Sequence, residues 1–144
     1  MRPRVMLIGA GGFGRNHLRV LRELSCTGLC DLHAVVDKRE EVVEQIRCLY
    51  PGLRVSTDYT EFLDEVDAVD VVTNASTHYE ICKACLEESK HVFVEKPLAT
   101  EYRHSQELMK LAREKGVILM VGHIFRYNEA VKFVRDQVQQ GLAG

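Results

Sequence analysis

The chain has no apolar run approaching the roughly 20 residues that a membrane-spanning helix needs. Lysine and arginine form no basic stripe and the net charge is −2, so nucleic-acid binding has no electrostatic support. A secretory leader is not expected either. Arg2 and Arg4 precede only four apolar residues before Gly9, and that segment reads as a strand. There are no internal repeats and no low-complexity linkers. At 144 residues, with ordinary shares of apolar and charged residues, the chain is expected to form one domain with a normal core, located in the cytoplasm.

Five cysteines, at 26, 30, 48, 82 and 85, are an odd count that argues against a disulfide framework. Cys82-Lys83-Ala84-Cys85 has the spacing of a metal or redox site, but no second such pair accompanies it. It lies within the pattern His78, Ile81, Cys82, Cys85, Leu86, where residues three and four apart share a helix face. Core packing is therefore expected and no metal site, and Cys26 and Cys30 read the same way.

What is present starts at residue 5. The apolar strand Val5-Met6-Leu7-Ile8 runs into Gly9-Ala10-Gly11-Gly12-Phe13-Gly14, and a helical pattern follows at once. Glycines 9, 11 and 14 match G-x-G-x-x-G: a tight turn, close approach of backbone to pyrophosphate, and close helix-strand packing. The new helix would point unpaired N–H groups and its positive dipole end at the phosphates, which puts Gly12 and Phe13 in the same contact. A second apolar run, Leu32–Val36, ends on Asp37, where a carboxylate would accept from the adenosine ribose hydroxyls. Asp37 favours NAD. Lys38 and Arg39 follow it and would hold the 2′-phosphate of NADP if Asp37 swung aside, so NADP stays open.

Strands are expected near Arg4–Ile8, Leu32–Val36, Arg54–Ser56, Ala68–Thr73, His91–Val94 and Val117–Val121, the fourth an apolar strand suited to the middle of a parallel sheet. Helices are expected near Gly12–Leu24 (Leu18, Leu21 and Leu24 inward), Arg39–Leu49 (Val42, Val43, Ile46 and Leu49 buried) and Thr77–Glu88. Another, with Leu108, Leu111 and Ala112 inward, is capped by Thr100 and stopped by Gly116, and a last helix starts at Asn128. Asp58 with Glu61 predicts a capped short turn. Alternation of strand and helix predicts an α/β, Rossmann-type doubly wound parallel sheet, ordered 3-2-1-4-5-6.

Ligands of such sheets bind beyond the carboxyl ends of the strands. Three polar clusters fall there: Thr73-Asn74-Ala75-Ser76-Thr77-His78, Glu95-Lys96-Pro97, and Gly122-His123-Ile124-Phe125-Arg126-Tyr127-Asn128. Thr73, Asn74, His78, Glu95, Lys96 and Arg126 are accordingly candidate contacts of the nicotinamide half.

With the glycine turn, Thr77-His78-Tyr79-Glu80, the run Lys90–Ala99 and Val121–Asn128, the chain resembles the Gfo/Idh/MocA family of NAD(P)-dependent oxidoreductases along its whole length. Glu95-Lys96-Pro97 stands as that family's Glu-Lys-Pro signature. The resemblance implies that Lys96 hydrogen-bonds the reacting hydroxyl and helps move its proton, that Glu95 positions Lys96, that a cis peptide precedes Pro97, and that His78 lies beside the nicotinamide. It implies hydride transfer from a secondary alcohol of a sugar, nucleotide sugar or cyclitol. The alternative is a non-catalytic NAD(P)-binding sensor or regulatory module.

Three positions depart from the family pattern: Asn74 where proline is usual, Ser89 where a helix-ending glycine is common, and Glu129 in place of a frequent proline. Full members continue into a second α/β domain that forms the substrate pocket and usually the oligomer, and the chain would cross into it at Gly141-Leu142-Ala143-Gly144. The resemblance thus implies a cofactor-binding but catalytically incomplete chain, with the oligomer left open.

Overall fold

The structure is a computed structural model that describes residues 2–142. The predicted crossing at 141–144 thus lies partly outside the described residues. In chain order the elements are β1 (Arg4–Ile8), α1 (Gly14–Cys26), β2 (Asp31–Val36), α2 (Glu40–Leu49), β3 (Arg54–Ser56), β4 (Ala68–Val71), α3 (Ala75–Glu87), β5 (His91–Val94), α4 (Tyr102–Lys115), β6 (Leu119–Val121) and α5 (Glu129–Gln139). Short 3₁₀ turns at Tyr59–Glu65 and Ile124–Tyr127 join β3 to β4 and β6 to α5. All strand pairs are parallel and the order is β3-β2-β1-β4-β5-β6, as the alternation predicts.

Strand periodicity divides the core into two layers. Met6, Ile8, Val69, Val71, Val92 and Val94 face α3 and α4, meeting Cys82, Cys85, Leu86, Leu108 and Ala112. Leu7, Leu32 and Val35 face the other way, against Leu18 of α1 and Val42 and Ile46 of α2. Cys82 and Cys85 are thus packed as helix-face hydrophobes, and burial pushes both thiols up to about 12. Cys30 is buried too, but Cys26, at the solvent-facing end of α1, is exposed, contrary to the core packing expected for it.

Side-chain caps form at two helix starts. The Asp58 side chain accepts from Thr60 N at 2.9 Å, and Asn128 Oδ1 accepts from Ala130 N at 3.0 Å. Gly116 closes α4 in the left-handed region, φ 66°. Thr100 does not cap α4: Glu101 holds the capping position, and no side chain bonds there. Leu49, expected in the core, is 68% exposed in the last turn of α2. None of the α5 residues is buried, and Val131, Val134 and Val138 lie exposed.

α3 closes as a Schellman motif, with Ser89 N bonded to Leu86 O and Lys90 N to Cys85 O, both at 2.9 Å. Ser89 carries the left-handed residue at φ 57°, where a Cβ costs about 1–2 kcal/mol. Ser89→Gly removes that strain at the expense of greater unfolded-chain freedom, a partial offset of about 0.4–1 kcal/mol. A thermal melt should show this variant a few degrees more stable than the wild type, and a lower Tm would contradict the assignment.

Candidate active site

The carboxyl edge of the sheet presents one residue row after another. Backbone bonds extend the ladder past the strand ends: Asp37 N to Ser56 O (3.3 Å), Gly9 N to Val36 O (2.7 Å), Val72 N to Ile8 O (2.8 Å), Glu95 N to Val71 O (2.9 Å) and Gly122 N to Val94 O (2.8 Å). The loops that follow β3, β2, β1, β4, β5 and β6 therefore leave the sheet in register. A cleft of about 720 Å³ opens across the first four of them.

Its floor is the glycine turn. Gly9 has φ 95°, and a Cβ there would stand 2.4 Å from Val72 O. A Cβ on Gly14 would meet Gly9 O at 2.0 Å, so the absence of side chains lets α1 start directly over β1. α1 has no acidic residue in its first turn and no side-chain cap. Among the described residues, the amides of Gly12, Phe13 and Gly14 have no hydrogen-bond acceptor, which leaves donors and a positive dipole end for an anion in the cleft.

Asp37 directly follows β2, with its side chain buried. Oδ2 accepts from Ala10 N (3.0 Å), Oδ1 from Arg39 N (3.1 Å), and the Arg39 guanidinium closes on both oxygens at 2.9 and 3.0 Å. Burial pushes the carboxyl up, but the Arg39 side chain and the two backbone N–H groups outweigh it and hold Asp37 below the usual carboxylate range. Two backbone bonds anchor Asp37, while the Arg39 side chain is 46% exposed and lies against Gly11. Swinging Asp37 aside for a 2′-phosphate would strand Ala10 N and Arg39 N.

Lys38 also lines the cleft, as do Thr73 and Asn74 just past β4 and Thr77 in the first turn of α3. Thr57, Asp58 and Tyr59, after β3, close its far side. They were missing from the candidate residues, although the same strand-end rule that selected the loops after β4, β5 and β6 points to them.

The remaining candidates lie farther along the edge, outside the cleft lining. Lys96 is exposed and the Lys96–Pro97 peptide is cis, as the resemblance implies. Glu95 is buried, and its Oε2 accepts from Lys96 N at 3.2 Å. His78 is buried with its ring turned inward: Nδ1 lies 2.7 Å from Pro97 O and Nε2 3.1 Å from Thr73 O. A neutral imidazole donates to one of these carbonyls at a time, tying the loop after β4 to the loop after β5. Arg126 is exposed on the 3₁₀ turn after β6.

Two further side chains stand behind Glu95. His17 of α1 places Nδ1 2.9 Å from Asp70 Oδ2 and Nε2 3.4 Å from Glu95 Oε1. The hydrogen bond that His17 donates to Asp70 raises His17 against the opposing effect of burial, and burial raises Asp70 against the offset from His17. Asp70 breaks the otherwise apolar β4, a polar residue that the reading of an apolar central strand passed over.

Residues 3–123 match the model of the oxidoreductase family with an NAD-binding Rossmann fold, the Gfo/Idh/MocA proteins. The chain belongs to this family. It is 32% identical over 140 residues to 4-carboxy-2-hydroxymuconate-6-semialdehyde dehydrogenase of Sphingobium sp., covering 96% of this chain and 44% of that protein. To UDP-N-acetylglucosamine 3-dehydrogenase of Acidithiobacillus ferrooxidans it is 31% identical over 134 residues, covering 92% and 41%. A solved structure of that enzyme superposes with a TM-score of 0.81 over 94% of this chain. GenD2 from gentamicin A biosynthesis, solved in complex with NAD, gives a TM-score of 0.81 at 37% identity, covering 93% of this chain and 37% of that one. The chain thus spans about two fifths of the length of these relatives. Among the described residues, no helix is long and apolar enough to cross a membrane.

Proposed function

We propose that the cleft binds NAD, and NADP less tightly, as the cofactor half of an enzyme that oxidises a secondary alcohol of a sugar, nucleotide sugar or cyclitol. The observation that carries this reading is the sequence of groups along one edge: anchored acid at Asp37, unpartnered amides at Gly12–Gly14, then Thr73, Asn74 and Lys96. The ribose hydroxyls would take the Asp37 oxygens that Arg39 now covers, and the pyrophosphate would lie on the α1 amides. The cofactor supplies the hydride acceptor. Lys96 would hydrogen-bond the substrate hydroxyl and help move its proton as hydride leaves the carbon, stabilising alkoxide character. Glu95 fixes the Lys96 backbone from one side, and His78 fixes the loop through Pro97 O from the other. The substrate itself would be held largely by a second domain of the kind that full-length members of the family carry.

Calorimetric titration with both cofactors tests the assignment. Losing a charge-assisted acceptor worth about 1.5–3 kcal/mol, Asp37→Ala should bind NAD about ten- to a hundredfold more weakly. The same variant should keep NADP or bind it better, because Lys38 and Arg39 remain. Arg39→Ala should weaken NADP and spare NAD, since it uncovers Asp37 for the ribose. Because Asp37 is held below the usual carboxylate range, wild-type NAD affinity should stay level from pH 8 into the mildly acidic range, and fall only as pH drops through that lowered value. If the wild type prefers NADP, Asp37 is not the ribose acceptor and Arg39 selects the cofactor.

A further inference from the structure

Directly behind Glu95 lies a largely buried polar chain that the cofactor cleft does not use. His17 stands between two carboxyl groups, Asp70 from β4 and Glu95 from the loop after β5, and the three side chains are only 14, 8 and 10% exposed. Their surroundings are apolar: the Phe13 ring meets His17 edge-on at 5.3 Å, and the Phe93 ring lies 6.0 Å away. Burying such a triad is costly, and apolar residues of similar volume commonly stabilise a core as well or better. Stability therefore gives no reason for it. Asp70 Oδ1 even remains buried without a partner among the described residues.

Its connections lead toward Lys96. Glu95 Oε1 faces His17, while Glu95 Oε2 accepts from Lys96 N at 3.2 Å. On the far side, a Cβ on Gly122 would come within 2.8 Å of Oε1, so the β6 end also hems the carboxyl in. Asp70 orients the His17 ring, His17 meets Glu95, and Glu95 holds the Lys96 backbone.

We propose that His17 is a positioning residue for the Glu95–Lys96 pair, held in place by Asp70 and acting on Lys96 through Glu95. The proposal rests on the reading of Lys96 as the group that handles the substrate proton. The groups facing His17 are Asp70 from β4, Glu95 after β5, and the rings of Phe13 and Phe93; His17, Asp70, Phe13 and Phe93 line a groove of about 550 Å³ that also reaches His91 of β5, whose Nδ1 accepts from Ile118 N. Protonated, the ring donates to both carboxyl groups. Once pH rises past its raised titration point, one of those donors is lost and Glu95 is released on that side.

Nuclear magnetic resonance of the whole chain tests this without cofactor or turnover. In the wild type, the Lys96 amide resonance should titrate with the same midpoint as the His17 ring. Asp70→Asn should lower the His17 midpoint, and Glu95→Gln should lower it less, because its contact is longer. In Glu95→Gln the Lys96 amide should no longer follow His17. A Lys96 amide that stays flat through the His17 titration in the wild type overturns the proposal, whether or not the variants fold. So does a His17 midpoint unchanged in a folded Asp70→Asn variant. Cofactor titrations report separately: loss of dinucleotide binding would remove the proposed function and leave this coupling standing.

Discussion

The Gly14→Ala variant is expected to bind dinucleotide about ten- to a hundredfold more weakly than the wild type and to melt at lower temperature. Its new Cβ would sit 2.0 Å from Gly9 O, a backbone atom of a residue fixed at φ 95° so close to Val72 O that a Cβ on it would stand 2.4 Å away. Neither side gives way cheaply. The start of α1 must lift off β1, which costs about 1–3 kcal/mol of overpacking and moves the amides that would hold the pyrophosphate. Displaced amides that lose about 1.5–3 kcal/mol of hydrogen bonding to a charged pyrophosphate give, at roughly 1.4 kcal/mol per decade, the expected loss of affinity. Gly12→Ala serves as the stability control, because nothing lies within 4 Å of its Cβ. Wild-type affinity and Tm in Gly14→Ala would show that the close helix-strand approach is not required.

In a form of the protein that turns over its alcohol, Lys96→Ala should lower kcat by about 10²–10⁴-fold, the range for losing a positioned acid-base group. Cofactor affinity should change little, because Lys96 lies outside the lining of the cleft. Lys96→Arg should also fail, since a guanidinium is always protonated and cannot relay the proton. Single-turnover rates with saturating cofactor check both variants. Turnover equal to wild type in either one removes Lys96 from the proton's path.

Much of this frame was legible from residues 4 to 37, because the features that bind also fold. Gly9 and Gly14 are demanded by backbone contacts, and Asp37 by two backbone donors, so the motif and the local structure are one constraint. Strand order followed from strand-helix alternation and the doubly wound topology that goes with the glycine fingerprint. What escaped were features set by the partner rather than by the segment. Asp70 sits among apolar neighbours and His17 inside an amphipathic helix, and neither pattern says that the two will meet across the sheet. Leu49 and the α5 valines have helical spacing, yet spacing states only that a face is apolar and not that something covers it. Thr100 is a good capping residue one position too early, an error expected where several residues compete for a helix start. The Arg39–Asp37 clasp depended on side-chain conformation, which sequence order does not specify.

The central claim is that one dinucleotide lies across the carboxyl edge of this sheet, and amide shift mapping during an NAD titration tests it most directly. Saturable shifts, one site per chain, are expected to concentrate at Gly11–Gly14, Asp37–Arg39, Thr57–Tyr59 and Thr73–Thr77. Shifts that are absent at millimolar cofactor, or that cluster elsewhere while these residues stay unmoved, would contradict it.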